Sequence, residues 1–365
     1  MRRVLICTVG TSLKGNLTAK HGHAFEPGNQ NIKEIVLELS GMDPGDRLNG
    51  AEINSISSII DKGLLDSRDH LYFLVSDTED GQKIGAILKA YVERRQNRLC
   101  FDKVELVVVE GLTDQSPRRF KTEGLKNLVK EIAKIVRRHG SPSVLINATG
   151  GYKAQISFAG MIGQALEIPV CYLFEKFSEV ITLPPQPVSL DLGFWMENAN
   201  LFYELAESDA KENPSGKDER FSSLVEEIEV DGEKAVGLSA IGQLFHETFI
   251  YRFQQNREEL LPPDSGIRPE DKAIKFEDEN SGRQRGLKGF LENLCRKPYV
   301  VRIFTHYFNP NLQLKSNFRP SAKGDLSRIE GCCTDGRATT KFDVVTTAKN
   351  KGQQNAVIAD LLSLI

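Results

Sequence analysis

The sequence predicts an α/β protein that begins with a parallel, doubly wound sheet and ends with a small α+β unit. Three observations support this. Short β-branched runs alternate with amphipathic helical patterns over the first half of the chain. Polar stretches containing Pro and Gly then interrupt the chain at 207–220 and 261–283. The net charge is +1 over 1–196, −12 over 197–280 and +8 over 281–365. A chain of 365 residues with these changes of pattern is long enough for two or three domains.

The first predicted domain, residues 1–190, alternates strands with helices. Its strand-like runs are almost wholly apolar, as in strands buried on both faces of a sheet. Such alternation implies right-handed crossovers and a Rossmann-like parallel sheet. A hairpin over 171–185 follows, and the prolines of 184–187 end it. The predicted strands are 4–10, 70–77, 104–110, 143–149 and 169–174, and the predicted helices are 30–40, 51–66, 80–97, 117–139 and 153–166.

Residues 191–282 are predicted to form a winged-helix-like middle domain. A helix over 194–207 leads into it, followed by a short strand, a turn at Asp231-Gly232 and a helix from about Ser239. A duplex-binding surface must neutralise phosphates, so the acidic charge of this segment argues against DNA as its ligand. A dimerisation or coupling role is favoured instead.

The third predicted domain, residues 283–365, is a basic α+β module with an antiparallel sheet. Its positive charge favours a polyphosphate backbone, and therefore nucleic acid, as its partner. Its predicted elements are a helix over 286–296, a strand over 300–308, a loop with Lys315, Arg319 and Lys323, strands over 327–333 and 338–349, and a helix over 353–364.

Composition excludes several classes of protein. Hydrophobic residues make up 40% and charged residues 27% of the chain, which is ordinary for globular proteins. No apolar run approaches the roughly 18 residues of a membrane span, so we expect a cytoplasmic protein without membrane association. The six cysteines contain no CxxC pair and so support neither a zinc ribbon nor a disulfide framework.

Glycine- and hydroxyl-rich loops follow three predicted strands. Glycines allow backbone N–H groups to approach an anion, and a helix N-terminus adds a partial positive charge. Neither GxxxxGK[ST] nor GxGxxG occurs, so the sequence predicts neither a P-loop nor a dinucleotide oxidoreductase. The loops predict a nucleotide- or phosphate-binding edge whose candidate residues are Thr8, Gly10, Thr11, Ser12, Ser76, Asp77, Thr78, Asn147, Thr149, Gly150, Gly151, Tyr152, Lys153 and Gln155.

The leading strand that ends in TVGTSL and the later strand that ends in NATGGYKAQ resemble the CARF domain of type III CRISPR accessory proteins. The resemblance covers residues 1–185 and implies a homodimeric sensor that binds a cyclic oligoadenylate, most commonly cyclic tetra-adenylate, across its two-fold axis. A two-fold-symmetric pair of edges suits a two-fold-symmetric anion. The resemblance places phosphates or ribose against Thr11, Ser12 and Lys153, and ribose or base against Ser76, Asp77 and Thr78.

A sensor of this kind implies an effector, which we sought in the basic module. HEPN ribonucleases need Arg-x4–6-His, and none of the six histidines satisfies that spacing. Metal-dependent restriction-type nucleases need a Glu/Asp-x-Lys leaving a strand, whereas Glu270-Asp271-Lys272 lies in a proline-rich stretch. We therefore expect no catalytic metal.

The order of elements in residues 283–365 resembles the RelE/HigB messenger-RNA interferases. This resemblance implies metal-independent attack of an RNA 2′-hydroxyl on the adjacent phosphate, with messenger RNA held on the ribosome as substrate. Basic groups would stabilise the charged phosphorane, and a Tyr or His would carry protons. The candidate catalytic residues are Lys315, Arg319, Arg328, Lys349, Lys351 and His306, with Tyr307 as a second proton carrier.

Two alternatives stay open at this point. The chain could be a ligand-responsive transcription regulator whose middle segment binds DNA without any catalysis. The first domain could also degrade its own cyclic ligand and so end the signal.

Overall fold

The fold is that of a computed structural model, which divides into two compact units. The first contains residues 1–190 and 239–251, and the second contains residues 191–238 and 252–365. No helix among the described residues is long and apolar enough to cross a membrane. The structure describes residues 1–21, 32–174, 177–186, 191–207, 213–216, 218–230, 233–277, 284–322 and 324–365.

A six-stranded sheet forms the centre of the first unit. Its strands are β1 (Val4–Thr8), β2 (His70–Ser76), β3 (Lys103–Val109), β4 (Val144–Asn147), β5 (Val170–Tyr172) and β6 (Ile181–Leu183). Their order in the sheet is β3-β2-β1-β4-β5-β6, and every neighbouring pair is parallel except β5 with β6. This is the doubly wound order, in which the chain reverses direction across the sheet between β1 and β4.

Helices cover both faces of this sheet. A single π-helical turn over 120–124 joins α5 to α6. One apolar core lies under α1 to α4, and a second lies under α6 and α7 and includes Leu244 and Tyr251. The helices are α1 (Ser12–His21), α2 (Ile32–Ser40), α3 (Gly50–Asp61), α4 (Glu79–Val92), α5 (Pro117–Arg119), α6 (Leu125–His139) and α7 (Lys153–Ala165).

All five predicted parallel strands are present, whereas helix α1 was not predicted. Its sequence, SLKGNLTAKH, offers Leu13 and Leu17 as its only buried apolar residues, and Gly15 lies between them. Two leucines in ten residues give too weak a periodicity to indicate a helix. Tertiary burial of that pair compensates for the poor local pattern.

The second unit contains a five-stranded sheet and a separate hairpin. The hairpin pairs β7 (Val225–Val230) with β8 (Glu233–Leu238). The larger sheet has the order β11-β12-β13-β10-β9, antiparallel throughout except for β9 with β10. Its strands are β9 (Ile274–Phe276), β10 (Val300–Asn309), β11 (Asn317–Pro320), β12 (Arg328–Thr334) and β13 (Thr339–Thr346).

Helices of the second unit lie before and after this sheet. Phe290 of α12 packs against Phe318 and Phe342, so α12 covers one face of the sheet. Asp360 of α13 is buried and accepts hydrogen bonds from Lys297 and Tyr299. The helices of this unit are α8 (Leu192–Glu197), α9 (Ala199–Ala206), α11 (Arg257–Leu260), α12 (Leu287–Cys295) and α13 (Lys351–Leu362), whereas most of α10 (Ala240–Gln255) belongs to the first unit.

The structure differs from the predicted organisation in three places. The predicted middle domain, 191–282, is divided between the two units, because most of α10 packs on the first unit's core. Strand β9 lies within the predicted loop 261–283, and Arg319 lies on strand β11 instead of in a loop. Both are short edge strands, which carry little periodicity to read. Asp231, Gly232 and Lys323 lie outside the described residues.

Candidate functional site

The carboxyl ends of three adjacent strands bring the predicted ligand-binding loops together. In the sheet, β1 lies between β2 and β4, and these strands lead into α1, α4 and α7. We call the surface made by residues 8–12, 76–78 and 147–153 the carboxyl edge. Helices α1 and α7 carry no acidic residue in their first turns, whereas α4 carries Glu79 and Asp80. The macrodipoles of α1 and α7 therefore favour an anion at these two helix starts.

The two glycine loops of the carboxyl edge touch each other through their backbones. A Cβ added to Gly10 would lie 2.6 Å from the backbone nitrogen of Gly151. A Cβ added to Gly150 would lie 2.8 Å from the carbonyl oxygen of Thr8. Gly151 has φ 109°, a conformation that L side chains rarely adopt. Glycine at these positions lets the loops after β1 and β4 form one continuous surface.

Glu52, at the start of α3, lies directly beneath these loops. Its side chain is completely buried, and its Oε1 accepts a hydrogen bond of 2.7 Å from the Gly10 N–H. A Cβ on Gly150 would lie 2.0 Å from the same Oε1. Oε2 is buried without a hydrogen-bond partner among the described residues. Burial raises the pKa of Glu52 to about 7, and the Gly10 N–H partly opposes this rise.

Asn147, Thr149 and Thr8 are engaged inside the protein. The Asn147 amide is buried, donates to Ser55 Oγ at 2.8 Å and accepts from Thr149 Oγ1 at 2.6 Å. Thr149 Oγ1 also accepts from the Leu173 N–H, and Thr8 Oγ1 donates to the Gly150 carbonyl. In this structure, these predicted ligand-binding side chains shape the loop from within.

Gln155 and Tyr152 fix the start of α7. Gln155 is fully buried, and its Oε1 accepts from the Tyr152 N–H at 3.2 Å, whereas its Nε2 has no partner among the described residues. The Tyr152 ring meets Phe120 edge to face at 5.3 Å. Burial, followed by the charge of Asp114, raises the pKa of Tyr152. The N-terminus of α7 is therefore held rigidly beside Gly151.

Ser76, Asp77 and Thr78 form the β2 part of the carboxyl edge. The hydroxyls of Ser76 and Thr78 are 2.8 Å apart, and Thr78 Oγ1 caps α4 by accepting from the Gly81 N–H. Asp77 Oδ2 accepts from the Gly111 N–H and lies 3.2 Å from Arg119 Nη2. These groups are already paired within the protein.

Thr11, Ser12 and Lys153 are the predicted ligand-binding residues that are exposed. Ser12 Oγ accepts from the Ala51 N–H at 3.2 Å, which ties α1 to α3. The ammonium of Lys153 has no hydrogen-bond or ion-pair partner among the described residues. Lys153 is the first residue of α7, so its ammonium can contact an anion bound at that helix end.

In the second unit, one face of the five-stranded sheet is open and charged. Alternate residues of β12 and β13, such as Ile329, Phe342 and Val344, are buried, and their neighbours point to the other face. In-register pairs identify members of that other face: Arg319 with Glu330, Glu330 with Asp343, and Asp343 with Phe304. The open sheet face is therefore defined by Arg302, Phe304, His306, Arg319, Arg328, Glu330, Lys341 and Asp343.

Asp343 brings two predicted catalytic residues together. Its Oδ1 lies 3.7 Å from His306 Nε2, and its Oδ2 lies 3.7 Å from Arg328 Nη1. The Arg328 guanidinium also lies over the Phe304 ring at 5.2 Å and pairs with Asp325 at 3.2 Å. An imidazole, a guanidinium and an orienting carboxylate can together move a proton and stabilise a developing anion.

The other predicted catalytic residues are spread more widely. Arg319 forms an ion pair with Glu330 on the open sheet face. Lys315 Nζ lies 2.7 Å from Glu207. Lys351 bonds Gln354, whose amide contacts the carbonyls of Asp325 and Arg328, and exposed Lys349 immediately precedes the N-cap of α13. Within the described residues, no group of three or more His, Cys, Asp or Glu side chains could hold a metal ion.

Sequence reasoning missed Glu52 and the linking position of Asp343. Glu52 lies in a helical stretch whose other inward residues are apolar or small, such as Ile53, Ser55 and Ile56. A single acidic residue on an otherwise apolar helix face was the one feature of the sequence that could have indicated Glu52. Asp343 alternates with buried Phe342 and Val344, but only the pairing of β10 with β13 shows that His306 is its neighbour.

Comparison with known proteins gives one family match. Residues 47–186 match a family described as CRISPR-associated protein (Cas_APE2256). This range includes the loops after β2 and β4 and ends before the second unit begins. No curated protein matches the sequence.

Two solved structures are similar to the chain at a low level. Can2 from Sulfobacillus thermosulfidooxidans, in complex with cyclic tetra-adenylate, has 9% identity and a TM-score of 0.24 over 72% of this chain and 68% of that one. Protein VC1899 from Vibrio cholerae has 9% identity and a TM-score of 0.25 over 95% of this chain and 78% of that one. Similarities this weak carry no argument about fold or function. The family match makes residues 47–186 similar to CRISPR-associated proteins, as the glycine motifs lead one to expect.

Proposed function

We propose that this protein is a cyclic-oligoadenylate-activated, metal-independent endoribonuclease of type III CRISPR defence. The carboxyl edge binds the activator, cyclic tetra-adenylate, between two copies of the chain. The open sheet face then cleaves messenger RNA on the ribosome. The observation that carries the proposal is the contact between the glycine loops after β1 and β4, with Gly10 against Gly151 at the starts of two helices.

The carboxyl edge suits a phosphate-containing ring. The starts of α1 and α7 lie beside the two glycine loops, and no acidic residue stands in either first turn, so both helix N-termini favour an anion. Lys153 adds at the same place an ammonium that has no partner in the part of the chain that the structure describes. Two such edges related by a dyad present equivalent groups to a ring with two-fold symmetry. The family match over residues 47–186 supports the CRISPR context.

The open sheet face suits cleavage of a phosphodiester. In the proposed reaction, the RNA 2′-hydroxyl loses its proton to a base, attacks the adjacent phosphorus and expels the 5′-oxygen, which takes up a proton. His306 is the proton carrier, and Asp343 orients it at 3.7 Å. Arg328 and Arg319 stabilise the charged phosphorane. The products are a 2′,3′-cyclic phosphate and a 5′-hydroxyl.

The test of activator binding is calorimetry of purified protein with rings of three to six adenylates. We expect saturable binding of the four-membered ring, with one ring per two chains. Absence of heat with every ring would contradict the proposal. Linear products after incubation with the ring would instead show that the first unit degrades its ligand.

The test of the effector is an in vitro translation reaction with and without cyclic tetra-adenylate, read by primer extension. We expect cleavage within the translated message only when the ring is present, with 5′-hydroxyl ends on the downstream fragments. Ring-dependent binding of duplex DNA without cleavage would favour the transcription regulator. Fragments with 5′-phosphate ends would contradict the proposed chemistry.

A further inference from the structure

Glu52 is a buried acid in the wall of a site built to hold anions. Its carboxyl group touches the backbone of Gly10 at 2.7 Å and fills the space that a Cβ of Gly150 would need. Ser55, one turn further along α3, accepts a hydrogen bond from Asn147 at 2.8 Å. One face of α3 thus supports both glycine loops from below.

Only one of the two Glu52 carboxyl oxygens has a hydrogen-bond partner among the described residues, and this affects its charged and neutral forms differently. Oε1 can accept from the Gly10 N–H whether the carboxyl is charged or neutral. Oε2 has no hydrogen-bond donor among the described residues, so a negative charge on the carboxyl group is stabilised only by the backbone N–H groups of Gly10 and of Glu52 itself. Burial without pairing disfavours the charged form of a carboxyl group.

A phosphate bound at the carboxyl edge disfavours the charged form of Glu52 further. The ligand would lie on the other side of the same glycine backbone, and water that could screen the two charges is excluded at Glu52. Like charges across a thin, dry layer repel strongly. A neutral Glu52 removes this repulsion and keeps its hydrogen bond to Gly10.

The groups that surround Glu52 among the described residues do not gain or lose protons near neutral pH. Cys7 on β1 is the titratable side chain that faces it, and burial raises the pKa of that thiol well above its usual value, so the thiol stays neutral. Within the described parts of the two loops, the groups that meet the Glu52 carboxyl are the backbones of Gly10 and Gly150, which do not titrate.

We infer that Glu52 is a positioning residue that takes up a proton when an anionic ligand binds at the carboxyl edge. This inference rests on the proposed function of that edge. It makes ligand affinity depend on pH: affinity is highest where Glu52 is already neutral and falls as pH rises. With a pKa of about 7 in the free protein and one ring bound by two chains, each ring is bound together with two protons. Its dissociation constant should therefore rise about a hundredfold per pH unit above that value.

The experiment is calorimetry of the full-length protein with cyclic tetra-adenylate from pH 6 to pH 8.5, in two buffers of different ionisation heat. Wild-type protein should take up close to one proton per chain, and so close to two per ring, at pH 8, and the dissociation constant of the ring should rise about 1,000-fold over the range. Glu52→Gln keeps the acceptor for Gly10 without a charge. It should bind with affinity that is independent of pH and tighter than wild type at pH 8.

The control is Glu93→Gln, because Glu93 caps the far end of α4 and pairs with Lys89 on the surface. This variant should behave as wild type. Binding by wild type without proton uptake or pH dependence would overturn the inference and leave the proposed function intact, even if Glu52→Gln failed to fold. Lack of binding by wild type at every pH would overturn both.

Discussion

The carboxyl edge of the first unit and the open sheet face of the second unit are built in different ways. At the carboxyl edge, the backbones of the two glycine loops lie against each other, and the buried side chains of Asn147 and Gln155 hold the loops from inside. On the open sheet face, the groups available to a ligand are charged side chains, and carboxylates pair them: Asp343 with Arg328 and Glu330 with Arg319.

The carboxyl edge is therefore a rigid site, whereas the open sheet face is one whose side chains can change partners. Backbone groups fixed by buried hydrogen bonds cannot rearrange without disturbing the sheet, so the carboxyl edge presents a preformed surface. Ion pairs that keep contact with water contribute little stability and exchange partners readily, so an RNA phosphate can replace a carboxylate beside exposed Arg319 or half-buried Arg328. We therefore expect substitutions at the first site to act through shape and at the second site through charge and proton transfer.

The largest effect is expected for His306→Ala on the open sheet face. If His306 carries the proton, its removal should slow ring-dependent messenger cleavage by about 10²–10⁴-fold. The measurement is primer extension in a translating extract, with ring affinity measured in parallel and expected to be unchanged. Arg337→Ala, at an exposed turn between β12 and β13, is the control and should retain cleavage. Full activity of His306→Ala would remove this residue from the mechanism.

A second prediction contrasts the open sheet face with the interior of its own unit. Asp360 is buried and accepts hydrogen bonds from Tyr299 at 2.6 Å and from Lys297 and Arg257 at 2.9 Å. Asp360→Ala leaves those donors unpaired and should lower the free energy of unfolding by about 3–5 kcal/mol. Arg319→Ala breaks only an exposed ion pair and should cost less than about 1 kcal/mol. Denaturant unfolding of both variants measures the contrast.

The same carboxyl group fixes the pH dependence of this stability. Burial acts to raise the pKa of Asp360, but hydrogen bonds from Arg257, Tyr299 and Lys297 outweigh it and hold the pKa below its usual value. A depressed pKa stabilises the folded state above the unfolded-state pKa, and the contribution disappears as pH falls through the folded-state value. The difference between wild type and Asp360→Ala should therefore be constant near neutral pH and shrink below about pH 4.

The parallel sheet and the position of the glycine loops after its strands could be predicted from the sequence because their signals are local. Apolar runs such as 70–77 and 143–149 can be buried only as central strands, and glycines after two of them indicate close backbone approach. The same argument placed the parallel sheet and the loops at Thr8–Ser12 and Asn147–Lys153. Helix α1 was not predicted because Leu13 and Leu17 are its only buried apolar residues, which is too weak a helical pattern.

Contacts between distant segments were not readable. Glu52 is 98 positions from Gly150, and nothing local indicates that its carboxyl group lies beneath that glycine. The neighbourhood of His306 depends on a register shift in β10 between Thr305 and Tyr307, which a periodic pattern does not reveal. The division of residues 191–282 between two units likewise depends on where α10 packs.

A third prediction tests whether the carboxyl edge acts through shape. In Gly150→Ala, the added methyl would lie 2.0 Å from Glu52 Oε1 and 2.8 Å from the Thr8 carbonyl oxygen, so a loop must move. Overpacking of this kind should weaken cyclic tetra-adenylate binding by about 10- to 100-fold in calorimetry. Gly160→Ala, in α7 with open space around its Cβ, should bind as wild type. Equal binding by both variants would contradict a preformed surface.

The smallest effect is expected where the carboxyl edge also uses a charge. Lys153 is exposed at the first residue of α7, and its ammonium has no partner among the described residues, so it is available to a ring phosphate. A single exposed charge contact of this kind contributes about 1 kcal/mol, so Lys153→Ala should weaken binding about fivefold. Because salt screens that contact, the loss should shrink as ionic strength rises from 0.05 M to about 0.5 M. Lys89 lies in the last turn of α4, at the end of that helix farthest from the carboxyl edge. Lys89→Ala should therefore change neither the binding affinity nor its dependence on salt. A loss in Lys153→Ala that persists unchanged in high salt would mean that the lysine acts through packing, and the contrast between a shape-determined edge and a charge-determined face would then be complete.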